Sequence, residues 1–146
     1  DYRDAELMVI DESYNASPVA MLAAIKGLGQ SVPGRRGRRI AVLGDMRELG
    51  EQGPALHAGL RQPLRDAGID IVVAVGPLMQ EMAVSLGNTI QVVNSATAQD
   101  AVRQVLDTVI PGDVVMVKGS NAIGLSRVVD ALLALQDQPA LRRATG

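Results

Sequence analysis

Five short apolar runs, separated by segments with helical spacing, restrict this chain to a small set of α/β folds. The runs are rich in valine and isoleucine and almost continuously apolar, which is typical of parallel strands covered on both faces. They lie at residues 7–10, 40–43, 69–75, 90–93 and 114–117, with predicted helices at 18–28, 55–67, 78–86, 98–109 and 123–135. Strands that alternate with helices predict a Rossmann-like three-layer α/β/α sandwich with a mostly parallel sheet.

The length of 146 residues predicts a single domain with a sizeable core. We assign the domain to residues 1–136 and expect the polar segment 137–146 to be a flexible C-terminal tail. The chain starts at Asp1, without an initiator methionine, and runs almost directly into the first strand. We therefore expect it to be a fragment of a longer protein.

The composition argues against several functional classes. Hydrophobic residues make up 47% of the chain and aromatic residues 1%, so the core is expected to be aliphatic and bases would find few stacking platforms. The net charge of −2 is also unlike a nucleic-acid-binding domain. The absence of cysteine excludes disulfides and thiolate metal sites, and the single histidine cannot form a histidine-based zinc site alone. No apolar run approaches the ~20 residues of a membrane span, and we expect a cytoplasmic monomer.

The helical spacing also predicts which side chains face the core. Thr97 and Asp100 resemble a capping box at the start of the fourth helix. The inward-facing residues are predicted to be Leu22, Ile25 and Leu28, then Leu56, Leu60 and Leu64, then Val102, Val105, Leu106 and Val109, and finally Val128, Val129, Leu132 and Leu133.

Two segments depart from the regular pattern of strands and helices, the one around Pro63 and the one at 30–39. Pro63 lies deep in the second predicted helix, and Gly59 leaves room for a kink, so we predict a bent helix rather than a break. The segment 30–39 contains four arginines and is glycine-rich. It is interpreted as a mobile, solvated surface loop, with phosphate binding as the less favoured alternative.

Polar side chains collect where the first strand passes into the first helix. Ser17 is suited to cap that helix, and Pro18 suits its first turn because the missing N–H would have no intrahelical partner. In an open α/β sheet, ligands usually bind at this carboxyl edge. The alternative, an ordinary acidic turn, is equally compatible with these residues. The candidate residues here are Asp11, Glu12, Tyr14 and Asn15.

Two further turns follow predicted strands and belong to the same edge. Asp45 offers a carboxylate for an ammonium group, and Lys118 offers a cation for a carboxylate or a phosphate oxygen. Together they would complement a zwitterion such as an amino acid or a short peptide. The candidate residues are Gly44, Asp45 and Met46 after the second strand, and Lys118, Gly119, Ser120 and Asn121 after the fifth. His57 is a possible site residue, although a helical histidine is more often a packing or capping residue.

Familiar nucleotide-binding and hydrolase motifs are absent from the sequence. It contains no G-x-x-x-x-G-K-[ST] phosphate loop, no G-x-G-x-x-G after the first strand and no G-x-S-x-G elbow. If the chain serves an ATP-dependent enzyme, the phosphate-binding machinery must lie elsewhere.

Three ordered motifs resemble those of the Mur ligases. D-E-S-Y-N-A-S-P at 11–18 is similar to the family signature D-D-[ST]-Y-N-A-N-P, with Glu12 and Ser17 as departures. A-V-L-G-D-M-R-E-L-G at 41–50 and V-K-G-S at 117–120 resemble the motifs of those members that add D-alanyl-D-alanine to UDP-N-acetylmuramoyl-tripeptide. His57 falls where their downstream histidine lies.

The resemblance implies that this chain is the C-terminal domain of a three-domain ligase whose central domain binds ATP and Mg²⁺. Asp11, Glu12, Tyr14 and Asn15 would then reach the ATP, while the other two motifs would line the D-alanyl-D-alanine pocket. The third substrate, UDP-N-acetylmuramoyl-tripeptide, would be bound by the other domains. The domain alone is expected to be inactive, and no residue of it is expected to be catalytic.

Two alternatives belong to other functional classes. The first is a free-standing Rossmann-like module that binds a nucleotide or small molecule without catalysis. The second is a receiver-like signalling domain, for which Asp45 follows the wrong strand and the Tyr14–Asn15 turn has no role.

Overall fold

The computed structural model describes residues 6–13 and 16–136. The expectations for Tyr14, for Asn15 and for the tail 137–146 lie outside the described residues. The strands are β1 (Met8–Glu12), β2 (Arg39–Gly44), β3 (Ile71–Val75), β4 (Gln91–Ser95) and β5 (Val114–Lys118). The α-helices are α1 (Pro18–Gln30), α2 (Gly53–Ala58), α3 (Arg61–Asp66), α4 (Pro77–Ala83), α5 (Ala98–Thr108) and α6 (Ser126–Gln136). Short 3₁₀ turns occupy Gly50–Gln52, Val84–Leu86 and Asn121–Ile123.

The five strands form one parallel sheet in the order β1-β5-β2-β3-β4. Side chains alternate between its faces, as the period of a strand requires. Ala41 and Leu43 of β2 pack in the cluster that includes buried residues of α1, α3 and α4. Ile40 and Val42 pack in the opposite cluster, beneath α5 and α6. The predicted three-layer sandwich is confirmed.

The helices bury slightly different faces from those predicted. Leu22, Leu106 and Leu133 are exposed, whereas Met21 of α1 is buried beside Ile25 and Leu28. A helix turns about 100° per residue, so three residues make about 300° and not a full turn. Residues spaced by three therefore shift around the helix, and Leu22, the first of the predicted series, lies outside the core face. The other two predicted inward residues lie one position beyond a buried neighbour, Val105 in α5 and Leu132 in α6.

The predicted bent helix around Pro63 was wrong, because α2 and α3 are separate helices. The Leu60 N–H donates to the His57 carbonyl three residues back, which closes a tight turn, and the Leu64 N–H then donates to Leu60. Pro63 is the third residue of α3, where an intrahelical hydrogen bond from its nitrogen is not needed. The proline is therefore accommodated by starting a new helix.

The segment 30–39 is tied to the rest of the fold by hydrogen bonds. Arg38 donates to Asp113 through its backbone N–H, its Nε and its Nη2 at 2.8, 3.2 and 2.9 Å. The hydrogen bond to Asp113 raises the pKa of Arg38 above its ordinary value, so the guanidinium keeps its charge beside this buried carboxylate. Arg39 donates to the Ser31 carbonyl, and the exposed tip is formed by Arg35 and Arg36.

Within the described ranges, no helix is long and apolar enough to cross a membrane.

Candidate functional site

The sheet brings the three sequence motifs to its carboxyl edge. In the β1–β5 ladder Glu12 is paired with Lys118, and in the β2–β5 ladder Leu43 is paired with Lys118. The chain that leaves β5 therefore emerges between the ends of β1 and β2. The order of the strands, with the last one inserted between the first two, is what makes these distant motifs neighbours.

The turns after β2 and β5 touch through their glycines. A Cβ on Gly119 would lie 3.2 Å from the Cα of Gly44 and 2.8 Å from Leu125 Cδ1. A Cβ on Gly44 would lie 2.9 Å from the same Leu125 atom and 3.0 Å from Ile123 Cγ2. The close approach that Gly44 permits is therefore to protein atoms in this structure.

Lys118 is buried and ion-paired. Its side chain is 2% exposed, and its Nζ lies 3.6 Å from Glu12 Oε2. A buried ammonium is costly without an anionic partner, and the neighbouring strand supplies that partner. Asp11, by contrast, is exposed, and its Oδ1 accepts hydrogen bonds from the Ser13 backbone N–H at 2.9 Å and hydroxyl at 2.6 Å.

The helix after Lys118 begins three residues later than the predicted start at residue 123. Asn121–Ile123 form a 3₁₀ turn, and α6 begins only at Ser126. The Ile123 N–H donates to the Ser120 carbonyl, so it is not available to an anion. Among the described residues, the buried Ser120 hydroxyl has no hydrogen-bond partner.

Asp45 faces away from Lys118, toward β3 and α4. Its Oδ1 accepts from the Met79 N–H at 2.7 Å and its Oδ2 from the Leu78 N–H at 3.2 Å. The carboxylate therefore satisfies the first turn of a helix that has no capping side chain of its own. Asp45 is 7% exposed.

A cavity of about 410 Å³ opens beside Asp45 at this edge. Its wall carries both signs of charge, because Arg47 and Glu48 join Asp45 there. Lys118, Gly119, Ser120 and Asn121 do not line this cavity, and their joint role with Asp45 around one ligand stays a prediction. The lining residues are Asp45, Met46, Arg47, Glu48, Leu49, Gly50, Gly53, Gly76, Pro77, Leu78, Ala96 and Ile123.

Sequence reasoning missed the contribution of the β3–α4 connection to this cavity. Gly76, Pro77 and Leu78 line it, and Gly76 has a φ of +103°. The glycine-proline pair directly after a buried strand was the available signal, since every connection that follows a parallel strand opens on the same edge.

His57 has both ring nitrogens engaged with backbone groups. The Met46 N–H donates to Nε2 at 3.0 Å, and Nδ1 lies 2.7 Å from the Gly53 carbonyl oxygen. An amide donor requires a lone pair on Nε2 and a carbonyl requires a proton on Nδ1, so the imidazole is neutral with its proton on Nδ1. His57 is 1% exposed and does not line the cavity.

A metal ion finds no obvious ligands in the part of the chain that the structure describes. No group of three histidine, cysteine, aspartate or glutamate side chains lies close enough there to hold one.

Comparisons with known proteins agree with this architecture. Residues 2–121 match the family model described as "Mur ligase, glutamate ligase domain". The UDP-N-acetylmuramoyl-tripeptide--D-alanyl-D-alanine ligase of Synechocystis sp. is 33% identical over 130 residues, which cover 88% of this chain and 28% of that protein. The Bacillus subtilis enzyme of the same name is 32% identical, with 89% and 29% covered.

A solved structure shows the same fold. The MurF ligase from Thermotoga maritima in complex with ADP superimposes with a TM-score of 0.68 at 28% identity, covering 86% of this chain and 27% of that one. The chain thus spans less than a third of the length of these relatives. On the family match, the ordered motifs and the shared fold, this chain belongs to the Mur ligase family.

Proposed function

We propose that this chain serves as the C-terminal domain of an ATP-dependent ligase that adds D-alanyl-D-alanine to UDP-N-acetylmuramoyl-tripeptide during peptidoglycan precursor synthesis. Two relatives that are 33% and 32% identical bear the name of that enzyme. The observation that carries the proposal is the cavity of about 410 Å³ at the carboxyl edge, with carboxylates and a guanidinium in its wall.

A dipeptide is a zwitterion and needs groups of both signs. Asp45 and Glu48 can attract its ammonium group, and Arg47 can bind its carboxylate through two parallel hydrogen bonds. Arg47 thereby takes the role that the sequence suggested for Lys118. Leu49, Leu78 and Ile123 supply apolar surface for the two methyl groups.

The β1 end is the part of the edge that we assign to the nucleotide. Asp11 is exposed there, and Glu12 is half-buried against Lys118. A nucleotide would approach these residues together with Tyr14 and Asn15. We assign Mg²⁺ mainly to the central domain of the ligase, as the resemblance to the family implies.

The proposed reaction forms one amide bond. ATP transfers its γ-phosphoryl group to the carboxylate of the tripeptide and ADP leaves. The amine of D-alanyl-D-alanine then attacks that acyl phosphate, and inorganic phosphate and a proton leave as the amide forms. This domain holds the amine component and brings it to the acyl phosphate when the domains close, which excludes water from the intermediate. We expect a cytoplasmic, monomeric enzyme, and we expect the domain alone to be inactive.

The test is phosphate release from ATP, UDP-N-acetylmuramoyl-tripeptide and D-alanyl-D-alanine. The chain alone should be silent, and turnover should appear when it is joined to the remaining domains of the ligase. Turnover by the chain alone would contradict the assignment. Binding of a nucleotide to a chain that never supports turnover would favour the free-standing binding module.

The same assay locates the dipeptide. Arg47→Gln should raise the KM for D-alanyl-D-alanine by about 10-fold or more, the value of a charge-assisted hydrogen bond, and leave the KM for ATP unchanged. Arg35→Gln is the matched control, because Arg35 is exposed in the segment before β2, at the opposite edge of the sheet. Equal effects of Arg47→Gln on both substrates would place the dipeptide elsewhere.

A further inference from the structure

His57 joins the two ends of the loop that forms one wall of the cavity. Met46, whose N–H donates to Nε2, begins this loop, and Gly53, whose carbonyl accepts from Nδ1, ends it. Both residues line the cavity, and so do the intervening residues 47–50. We propose that His57 is a positioning residue, which clamps the 46–53 loop in the shape that receives the dipeptide and does not touch the substrate.

The 46–53 loop is strained and largely exposed between its ends. Glu48 and Gly50 have φ angles of +63° and +61°, in the left-handed region. For a residue with a side chain this costs roughly 1 kcal/mol. Arg47, Glu48 and Gly50 are exposed, and Leu49 packs half-buried against the core. The Gly53 N–H donates to the Gly50 carbonyl and closes the 3₁₀ turn, so residues 47–49 are the least supported part of the loop. Without bonds at its ends, such a loop would populate several conformations.

An imidazole suits this clamp because its donor and acceptor are fixed in one rigid ring. The Met46 N–H needs an acceptor, and Nε2 supplies it. The Gly53 carbonyl already begins the backbone hydrogen-bond ladder of α2, and its second bond, to Nδ1, orients the ring. Water cannot easily replace either bond, because Met46, Gly53 and His57 are all buried. Loss of the ring would leave the Met46 amide without a partner, and that amide belongs to the turn that carries Asp45 and Arg47.

The inference rests on the proposed function, since the dipeptide is the ligand whose binding reports the shape of the loop. Two substitutions separate the bonds of the ring. In His57→Gln, the side-chain oxygen can reach the place of Nε2 and accept from Met46. In His57→Asn, the shorter side chain can reach only the place of Nδ1 and donate to Gly53.

Both variants are made in the full-length ligase, and steady-state kinetics are measured together with hydrogen exchange of the Met46 amide. His57→Asn should raise the KM for D-alanyl-D-alanine about 10-fold, with kcat and the KM for ATP nearly unchanged. It should also speed exchange of the Met46 amide about 10-fold. His57→Gln should stay close to the parent enzyme in both measurements.

Three results would overturn the inference. The first is that His57→Asn and His57→Gln behave alike in both measurements. The second is that exchange of the Met46 amide becomes faster without any change in the KM for the dipeptide. The third is that protection from exchange falls throughout the core. If the parent ligase does not use D-alanyl-D-alanine, the proposed function fails instead. Exchange of the Met46 amide in the two variants would still decide whether the clamp exists.

Discussion

At the scale of single residues, the position of the Asp45 carboxylate requires a residue without a side chain at position 76. The Asp45 carboxylate can reach the N–H groups of Leu78 and Met79 only by passing over Gly76. A Cβ on Gly76 would lie 2.7 Å from the Asp45 carboxyl carbon, and the φ of Gly76 is +103°. Both the conformation and the space therefore require glycine at this position.

Gly76→Ala should lower the free energy of unfolding by about 2 kcal/mol or more, because it adds backbone strain and displaces the carboxylate from α4. Gly27→Ala is the matched control. Gly27 lies within α1 with nothing within 4 Å of the added Cβ, so this change should raise stability by about 0.5–1 kcal/mol. Urea unfolding followed by circular dichroism measures both, and a tolerated Gly76→Ala would refute this requirement for glycine.

At the scale of elements, helix phase decides which of two adjacent leucines contributes to the core. In α6, Leu132 is fully buried in the cluster beneath the sheet, whereas Leu133 is 45% exposed. The two residues are chemically identical and differ only by about 100° of rotation around the helix. Any difference between their variants therefore reports burial alone.

Leu132→Ala should cost about 2–5 kcal/mol of unfolding free energy, because it removes apolar contacts and leaves a cavity. Leu133→Ala should cost less than about 1 kcal/mol. Chemical denaturation of the two variants side by side makes the comparison. Equal losses would show that α6 is rotated from the orientation described, or that a partner covers Leu133.

At the scale of the whole molecule, β5 holds the sheet together. It is paired on one side with β1 and on the other with β2, and among the strands of residues 6–13 and 16–136 β1 pairs with no other. The β1–β5 ladder joins residues 106 positions apart, such as Met8 and Val114, and the β2–β5 ladder joins residues 75 apart, such as Arg39 and Val114. Loop-closure entropy therefore opposes both ladders until the late segment is present. The sheet is complete only when β5 enters between strands that precede it.

A chain truncated after residue 112 lacks β5 and α6, and we expect it not to fold cooperatively. Loss of β5 and α6 would leave β1 without its partner strand and would expose apolar side chains of β2 on the face of the sheet that α6 covers. Thermal unfolding monitored by circular dichroism should show no sharp transition, while the chain of 146 residues should show one. A cooperative transition in the truncated chain would mean that β2, β3 and β4 form an independent unit.

The local sequence was sufficient to predict the helix caps and the positions of the strands. Ser17 accepts from the Ala20 N–H at 3.1 Å and Thr97 from the Asp100 N–H at 3.1 Å, as their positions before helices predicted. The continuous apolar runs identified the five described strands to within a few residues. In β2, β3 and β5 the reason is burial on both faces, whereas the edge strands β1 and β4 are partly exposed and include polar residues. The break at Pro63 was missed, because a turn that starts a new helix has the same leucine spacing as a kinked one.

The family, the fold class and the edge that carries the motifs were determined by the sequence itself, because each depends on residue order and periodicity. Only the tertiary structure decided which partner each motif residue contacts. Strand order and side-chain direction turn Lys118 toward Glu12, Asp45 toward α4 and His57 toward Met46. The first two pairings join groups 106 and 34 positions apart, and the third joins an α2 side chain to the turn after β2 across 11 positions. All three depend on how separate elements are placed, so no pattern within one element could specify them.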